Sequence, residues 1–186
     1  MTHFNRVRTA MAAQSTRPLW MQGWRGAVLF TGLMALSAHT AFPLPGTPVP
    51  ATMQVFTVLL AGLVLGPLWA GVSMVQYLLI GAIGLPVFAP GPLGTAAMFG
   101  ATGGYLISFP IAAMVAGLAS GRCEKWMAAA CAASIAVIYT AGCGWLALSF
   151  HPHLTVLQAI ALGAGWFIVW DAVKACAAIA AARYMR

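Results

Sequence analysis

Six apolar runs, separated by proline, glycine or basic breaks, take up almost all of the chain from Gly26 to Ala182. That pattern leaves few folds open. The chain is 62% hydrophobic and 6% charged, whereas a soluble domain carries about 25% charged residues. With so little polar surface, the runs must bury themselves in lipid and against one another. Only helices and closed barrels satisfy their own backbone groups there. The expected fold is an all-α polytopic membrane protein, a bundle of six transmembrane helices with no room for a second folded domain.

Gly26 to Phe42 reads as the first helix. Pro43, Pro45, Pro48 and Pro50 then forbid helix and force an extended outer loop. Ala51 to Leu65 is a short second helix ended by Gly66-Pro67, and Trp69 to Ile83 is the third. Gly84 to Gly104 is apolar but too punctuated by Gly and Pro to span. Tyr105 to Ser120 and Trp126 to Phe150 are the fourth and fifth helices. One helix from Thr155 to Arg183 would run about 43 Å, well beyond a hydrocarbon core of about 30 Å. Gly163-Ala164-Gly165 is the natural break, leaving a short outer helix, Thr155 to Leu162, and a sixth span, Trp166 to Ala182.

Charge sets the topology. The basic residues fall at Arg6, Arg8, Arg17 and Arg25, at Arg122 and Lys125, and at Arg183 and Arg186. By the positive-inside rule these mark the cytoplasmic side, so both termini are expected there. The net charge of +7 is not a nucleic-acid signal, because the basic residues are not gathered with interleaved aromatics. Residues 1–25 are expected to be a basic cytoplasmic tail and 26–186 a single membrane domain. The first helix is expected to remain uncleaved, with Trp20 and Trp24 at the interface. Cys123, Cys131, Cys143 and Cys176 show no CxxC spacing and are expected to be small core residues.

Asp171 is the one acid in apolar surroundings, and Lys174 follows it by one turn. An ionisable group inside a membrane costs several kcal/mol and therefore suggests a functional role. At i and i+3 the two share a helix face and can partly neutralise each other. A structural ion pair between helices is the plainer reading of the same residues.

No catalytic constellation accompanies them: there are no paired carboxylates, no Ser-His-Asp or Cys-His set, and no Walker lysine. An enzyme is therefore not expected. His151-Pro152-His153 reads as a plain outer turn, not a metal site, and His39 as an interfacial or packed histidine. What remains is a set of polar and aromatic groups expected at one depth. Gln54, Gln76 and Tyr77 lie on the second and third helices, and Thr102, Gly103, Gly104 and Tyr105 open the fourth. Such a set suits a pocket for a small amphipathic molecule, although each residue alone could be interhelical glue. Loops 43–50 and 84–104 are expected to fold over it. The second is read as a lid with apolar anchors Leu85, Val87, Phe88, Met98 and Phe99.

Three stretches carry a resemblance. Gly81-Ala82-Ile83-Gly84-Leu85-Pro86-Val87-Phe88-Ala89, Thr102-Gly103-Gly104-Tyr105-Leu106 followed by Phe109, and Asp171-Ala172-Val173-Lys174 resemble the BioY family. These are biotin-binding S components of energy-coupling-factor (ECF) transporters, and the likeness runs from about Thr52 to the carboxyl terminus. It implies six helices, cytoplasmic termini, and an outer biotin site closed by the first and third outer loops. Asp171 and Lys174 match the family's DxxK pair, and Tyr105 matches the tyrosine of its TGGY run. Val169-Trp170 stands where the family commonly has Pro-Gly, and the run Pro90-Gly91-Pro92-Leu93-Gly94 carries no arginine or asparagine.

The resemblance implies biotin as ligand, no cofactor, and localisation in the bacterial inner membrane. Its implied partners are an ECF transmembrane coupling protein and ABC-type ATPases, with a second copy of the chain left open. Ala27, Gly32, Ala35 and Ala38 on the first helix offer either a face for the coupling protein or packing inside the bundle. The rival reading is a secondary carrier or channel for another solute, with Asp171 as an ion or proton relay. It calls for internal repeats and a polar path to the inner face, and the sequence has neither.

Overall fold

The computed structural model describes residues 23–42, 44, 46–90, 95–149 and 154–185. Helices follow one another as α1 (Gly23–His39), α2 (Gln54–Leu65), α3 (Pro67–Ala82), α4 (Thr95–Phe99), α5 (Gly103–Gly117), α6 (Glu124–Ser149), α7 (Val156–Ile160) and α8 (Ile168–Tyr184). A π-helical turn, Ala161–Gly165, joins the last two. Among the described residues there is no strand, only one antiparallel bridge between Phe42 and Ala51. The basic tail with Arg6, Arg8, Arg17 and Trp20 lies outside the described residues. So do Pro43, Pro45, residues 91–94, the His151-Pro152-His153 turn and Arg186.

Local chemistry explains where the boundaries moved. The second helix starts at Gln54, not Ala51, because Phe42 and Ala51 exchange backbone hydrogen bonds of 2.8 and 2.9 Å. That pairing ties together the two ends of the proline loop. The third starts at Pro67, not Trp69, since proline at the first helical position forfeits no bond. Gly66, at φ 82°, makes the corner that a side chain would strain. The expected break at Gly163 to Gly165 is shifted: those residues stay helical in the π-turn, and the 44° bend follows them, before α8 starts at Ile168 and not Trp166. A capping box sets the start of α7, with the Thr155 N–H donating to Gln158 Oε1 at 2.9 Å and the Gln158 N–H to Thr155 Oγ1 at 3.3 Å. The Gly84 to Gly104 stretch is not all loop, because α4 forms within it.

By length and composition alone, α6 can cross a membrane, and α7 to α8 can do so as a bent pair. Helices α2, α3 and α5 are shorter apolar helices. Their packing uses close backbone approach. A Cβ on Gly62 of α2 would come 2.5 Å from Ala116 Cβ and 2.6 Å from Ala113 O on α5. Small residues at such crossings let helices gain dispersion energy where water offers no driving force.

The first-helix set of small residues does not form one face. Ala27 and Ala38 are buried, while Gly32 is exposed, and a Cβ there would point into open space. Helical geometry turns Gly32 away from the stripe of Ala27, Phe30, Thr31, Met34 and Ala38 that faces the core. The cysteines split likewise: Cys131 and Cys143 are buried, but Cys123 sits in an exposed turn and Cys176 on the outward face of α8. The expectation of four core cysteines is corrected to two.

The two ends of the bundle differ in chemistry. Gly23 approaches Trp69, Gly117 meets Pro67, and the Arg183 guanidinium donates to Glu124 at 2.9 Å. These contacts gather the start of α1, the α2–α3 corner, the α5–α6 turn and the end of α8. Arg25, Arg122, Lys125 and Arg183 all lie at this end. The starts of α2, α5 and α8 lie at the other.

Candidate ligand-binding cavity

At that second end the helix starts enclose a cavity of about 310 Å³, at the lower edge of the size that holds small ligands. The 43–50 loop contributes Pro48, Val49 and Pro50, and the 84–104 stretch contributes Phe88, Ala89, Pro90 and Gly100 to Thr102. Helices α5 and α6 supply an apolar wall of Leu106, Phe109 and Ile138, joined by Phe167 just before α8. Polar groups reach it at few points: Thr52, Gln54, Thr102, Tyr105, Tyr139, Asp171 and Lys174.

Asp171 sits in the first turn of α8 and is 2% exposed. Lys174 Nζ donates to Asp171 Oδ1 at 2.8 Å, and the Tyr139 hydroxyl donates to Oδ2 at 2.7 Å. Both oxygens are thus held while the carboxylate faces an apolar chamber. Charge-assisted bonds of this length are strong where water is excluded. The DxxK spacing works because the pair shares one helix face, and Tyr139 reaches them from α6.

The remaining expected residues divide by position. Gln54 lines the cavity while its Nε2 donates to the Tyr77 hydroxyl at 3.0 Å. Its Oε1 accepts from Thr52 Oγ1 at 3.1 Å. Tyr77 does not line the cavity; it is fully buried behind Gln54 and Phe88, and Phe88 meets its ring edge-on at 5.3 Å. Gln76 faces elsewhere, within 3.0 Å of the Thr31 hydroxyl between α1 and α3. Successive residues on a helix point about 100° apart, so Gln76 and Tyr77 cannot share a direction.

Tyr105 lines the cavity with its ring, but its hydroxyl is committed to the Gly163 carbonyl of the π-turn at 2.9 Å. Glycine at 142 leaves the space that this ring fills. Thr102 lines the cavity and Gly103 does not. Gly103 instead admits the Met98 carbonyl, and Gly104 admits Trp145, whose indole N–H donates to Gly100 O at 3.0 Å. The two glycines therefore serve the close docking of the 84–104 stretch onto α5 and α6. Of its expected apolar anchors, Phe88 is buried and Val87 and Met98 are partly buried, whereas Leu85 and Phe99 are exposed.

The 43–50 loop is also fastened. Thr47 Oγ1 donates to the Leu162 carbonyl at 2.8 Å, so the loop and Tyr105 each occupy a carbonyl of the π-turn. A π-turn leaves carbonyls without their usual helical partners, and these two hydroxyls supply replacements. Thr52, Val55, Ile138, Tyr139 and Phe167 are among the cavity residues that sequence reasoning missed. The inward stripe of α6 includes Cys131, Ser134, Ile138, Gly142 and Leu146, and Tyr139 flanks it as a polar aromatic among small apolar residues. Among the described residues no group of three or more metal-ligating side chains comes together.

Comparison with known proteins bears on the family and the fold. The family model described as BioY family matches residues 11–186. A protein of Pyrococcus horikoshii named "Probable biotin transporter BioY" is 42% identical, over 81% of this chain and 88% of its own. The "Biotin transporter BioY" of Thermotoga maritima is 38% identical, over 80% of this chain and 86% of its own. Among solved structures, the S-component for biotin from an ECF-type ABC transporter superposes with a TM-score of 0.78, covering 100% of this chain and 94% of the other. Its identity is 22%, so that likeness concerns the fold. The family match spans nearly the whole chain and relatives this similar cover four-fifths of it, so the chain belongs to the BioY family.

Proposed function

We propose that the chain takes part in biotin uptake as the substrate-binding membrane subunit of an ECF-type transporter. It crosses the bacterial inner membrane six times, with a tail over 1–25, a membrane domain over 26–186, both termini in the cytoplasm and the cavity outward. The observation that carries this reading is the buried Asp171 carboxylate, held by Lys174 and Tyr139 at the wall of an apolar cavity. Biotin offers a flat neutral ureido ring with two N–H donors and one carbonyl acceptor, an apolar thiophane ring and a carboxylate tail. Asp171 accepts from a ureido N–H group, and Lys174 donates to the ureido carbonyl or balances the Asp171 charge. Phe88, Phe109, Ile138 and Phe167 surround the thiophane, beneath segments 43–50 and 84–104.

Energy comes from partners, a coupling protein in the membrane and two ATP-binding-cassette ATPases, since the sequence holds no Walker lysine. The membership of the BioY family and the biotin transporters among its relatives support the ligand. Basic residues at the end away from the cavity support the orientation.

Radiolabelled biotin bound by the purified protein tests the ligand, with saturable binding expected at least tenfold tighter than lipoate, about 1.4 kcal/mol. Equal affinity for both would remove the biotin assignment. Reporter fusions after Arg122 and at Arg186 are expected to read cytoplasmic. A reading on the outer side at either would overturn the six-span orientation.

A further inference from the structure

We propose that Tyr139 is a positioning residue that fixes the register in which Asp171 receives the ligand's N–H donors, and so determines head-group specificity. The inference rests on the biotin reading above and adds a residue from a second helix to it. A carboxylate offers about four lone-pair sites. Lys174 takes one on Oδ1 at 2.8 Å and Tyr139 takes one on Oδ2 at 2.7 Å, which leaves each oxygen able to accept once more.

The two donors are not equivalent. Lys174 sits on α8 beside Asp171, at the end of a flexible stem, and can follow the carboxylate through several orientations. Tyr139 stands on α6, and its hydroxyl is carried by a rigid ring with only two side-chain torsions. It is the fixed reference that stops the carboxylate turning about its own axis. The hydroxyl of Tyr105, the other tyrosine at the cavity wall, is already committed to Gly163 O and cannot substitute.

A fixed carboxylate matters because the two N–H groups of biotin differ: the fused bicycle is chiral and carries its tail on one side only. A carboxylate locked in one register meets one N–H better than the other. A carboxylate free to turn accepts either.

The test uses purified full-length protein and three ligands. These are biotin and the two cyclic carbamates in which a ring oxygen replaces one or the other ureido N–H. Wild type is expected to prefer one carbamate by about tenfold or more, the scale of one hydrogen bond to a charged group. In Tyr139→Phe, biotin affinity is expected to fall by about tenfold and the carbamate preference to shrink below about threefold. A residue that only packs the cavity would weaken all three ligands together and leave the preference intact, which would overturn the proposal. So would a wild type that binds biotin yet treats the carbamates alike. If Tyr139→Phe does not accumulate as folded protein, 4-fluorophenylalanine at 139 fills the hydroxyl's volume without donating, and the same collapse of preference is expected. Failure of wild type to bind biotin at all would be a different result, one that removes the biotin reading itself.

Discussion

Replacing Lys174 by Met is expected to destabilise the ligand-free protein by about 3–5 kcal/mol, the cost of stranding a buried charge by removing its partner. The Asp171 side chain is 3% exposed, and the change would leave it with the Tyr139 hydroxyl alone. Methionine matches the lysine stem in length, so packing is preserved and the loss reports charge. In detergent or nanodiscs the melting temperature should fall on the order of 10 °C. The double variant Lys174→Met/Asp171→Asn should recover most of that fall, because neutralising both members of a buried pair is often nearly neutral. A single variant as stable as wild type would show that the pair contributes nothing in the ligand-free state. A double variant no better than the single would place the loss in packing.

The reverse replacement is not symmetrical. Asp171 is short and fixed in the first turn of α8, whereas the Lys174 side chain is 11% exposed on a long stem that can carry its ammonium toward water. Removing the acid should therefore disturb the ligand-free bundle less than removing the base, and its main effect should fall on binding.

Much of the architecture was legible because breakers and apolar runs act locally. The prolines between Phe42 and Ala51 excluded helix, and the extended bridge between those residues is what remained possible. The last segment was too long for one span and contained one cluster of glycines; the chain stays helical through them as a π-turn, and the bend falls just after, between Gly165 and Ile168. Helix α4 was not legible, since five residues carry no usable periodicity. A contact distant in sequence, Trp145 bound to Gly100, sets its place together with the local approach of Met98 to Gly103.

The site divides the same way. Asp171 and Lys174 stood out because a charged pair in an apolar helix is costly enough to need a reason. Tyr139 did not, because its partner lies 32 residues on and no spacing rule links two helices. Gln76 was misdirected by adjacency to Tyr77: polar residues side by side in sequence diverge on a helix, and Gln76 turned to Thr31. The TGGY run was legible as a motif but not in its division of labour. Thr102 and the Tyr105 ring face the cavity, while the glycines between them admit neighbouring backbone and indole.

The central claim, that Asp171 receives the biotin head group, is tested most directly by isothermal titration of biotin into purified wild-type and Asp171→Asn protein. Asparagine keeps the size and one acceptor but loses the charge, and its amide N–H groups face donors where the carboxylate faced them with lone pairs. Losing a charge-assisted hydrogen bond in a buried site costs about 1.5–3 kcal/mol, so affinity is expected to fall tenfold to a hundredfold. Melting in the absence of ligand is expected to show that the variant remains folded. An unchanged affinity in a folded Asp171→Asn protein would contradict the account and leave Asp171, Lys174 and Tyr139 as structural glue between α6 and α8.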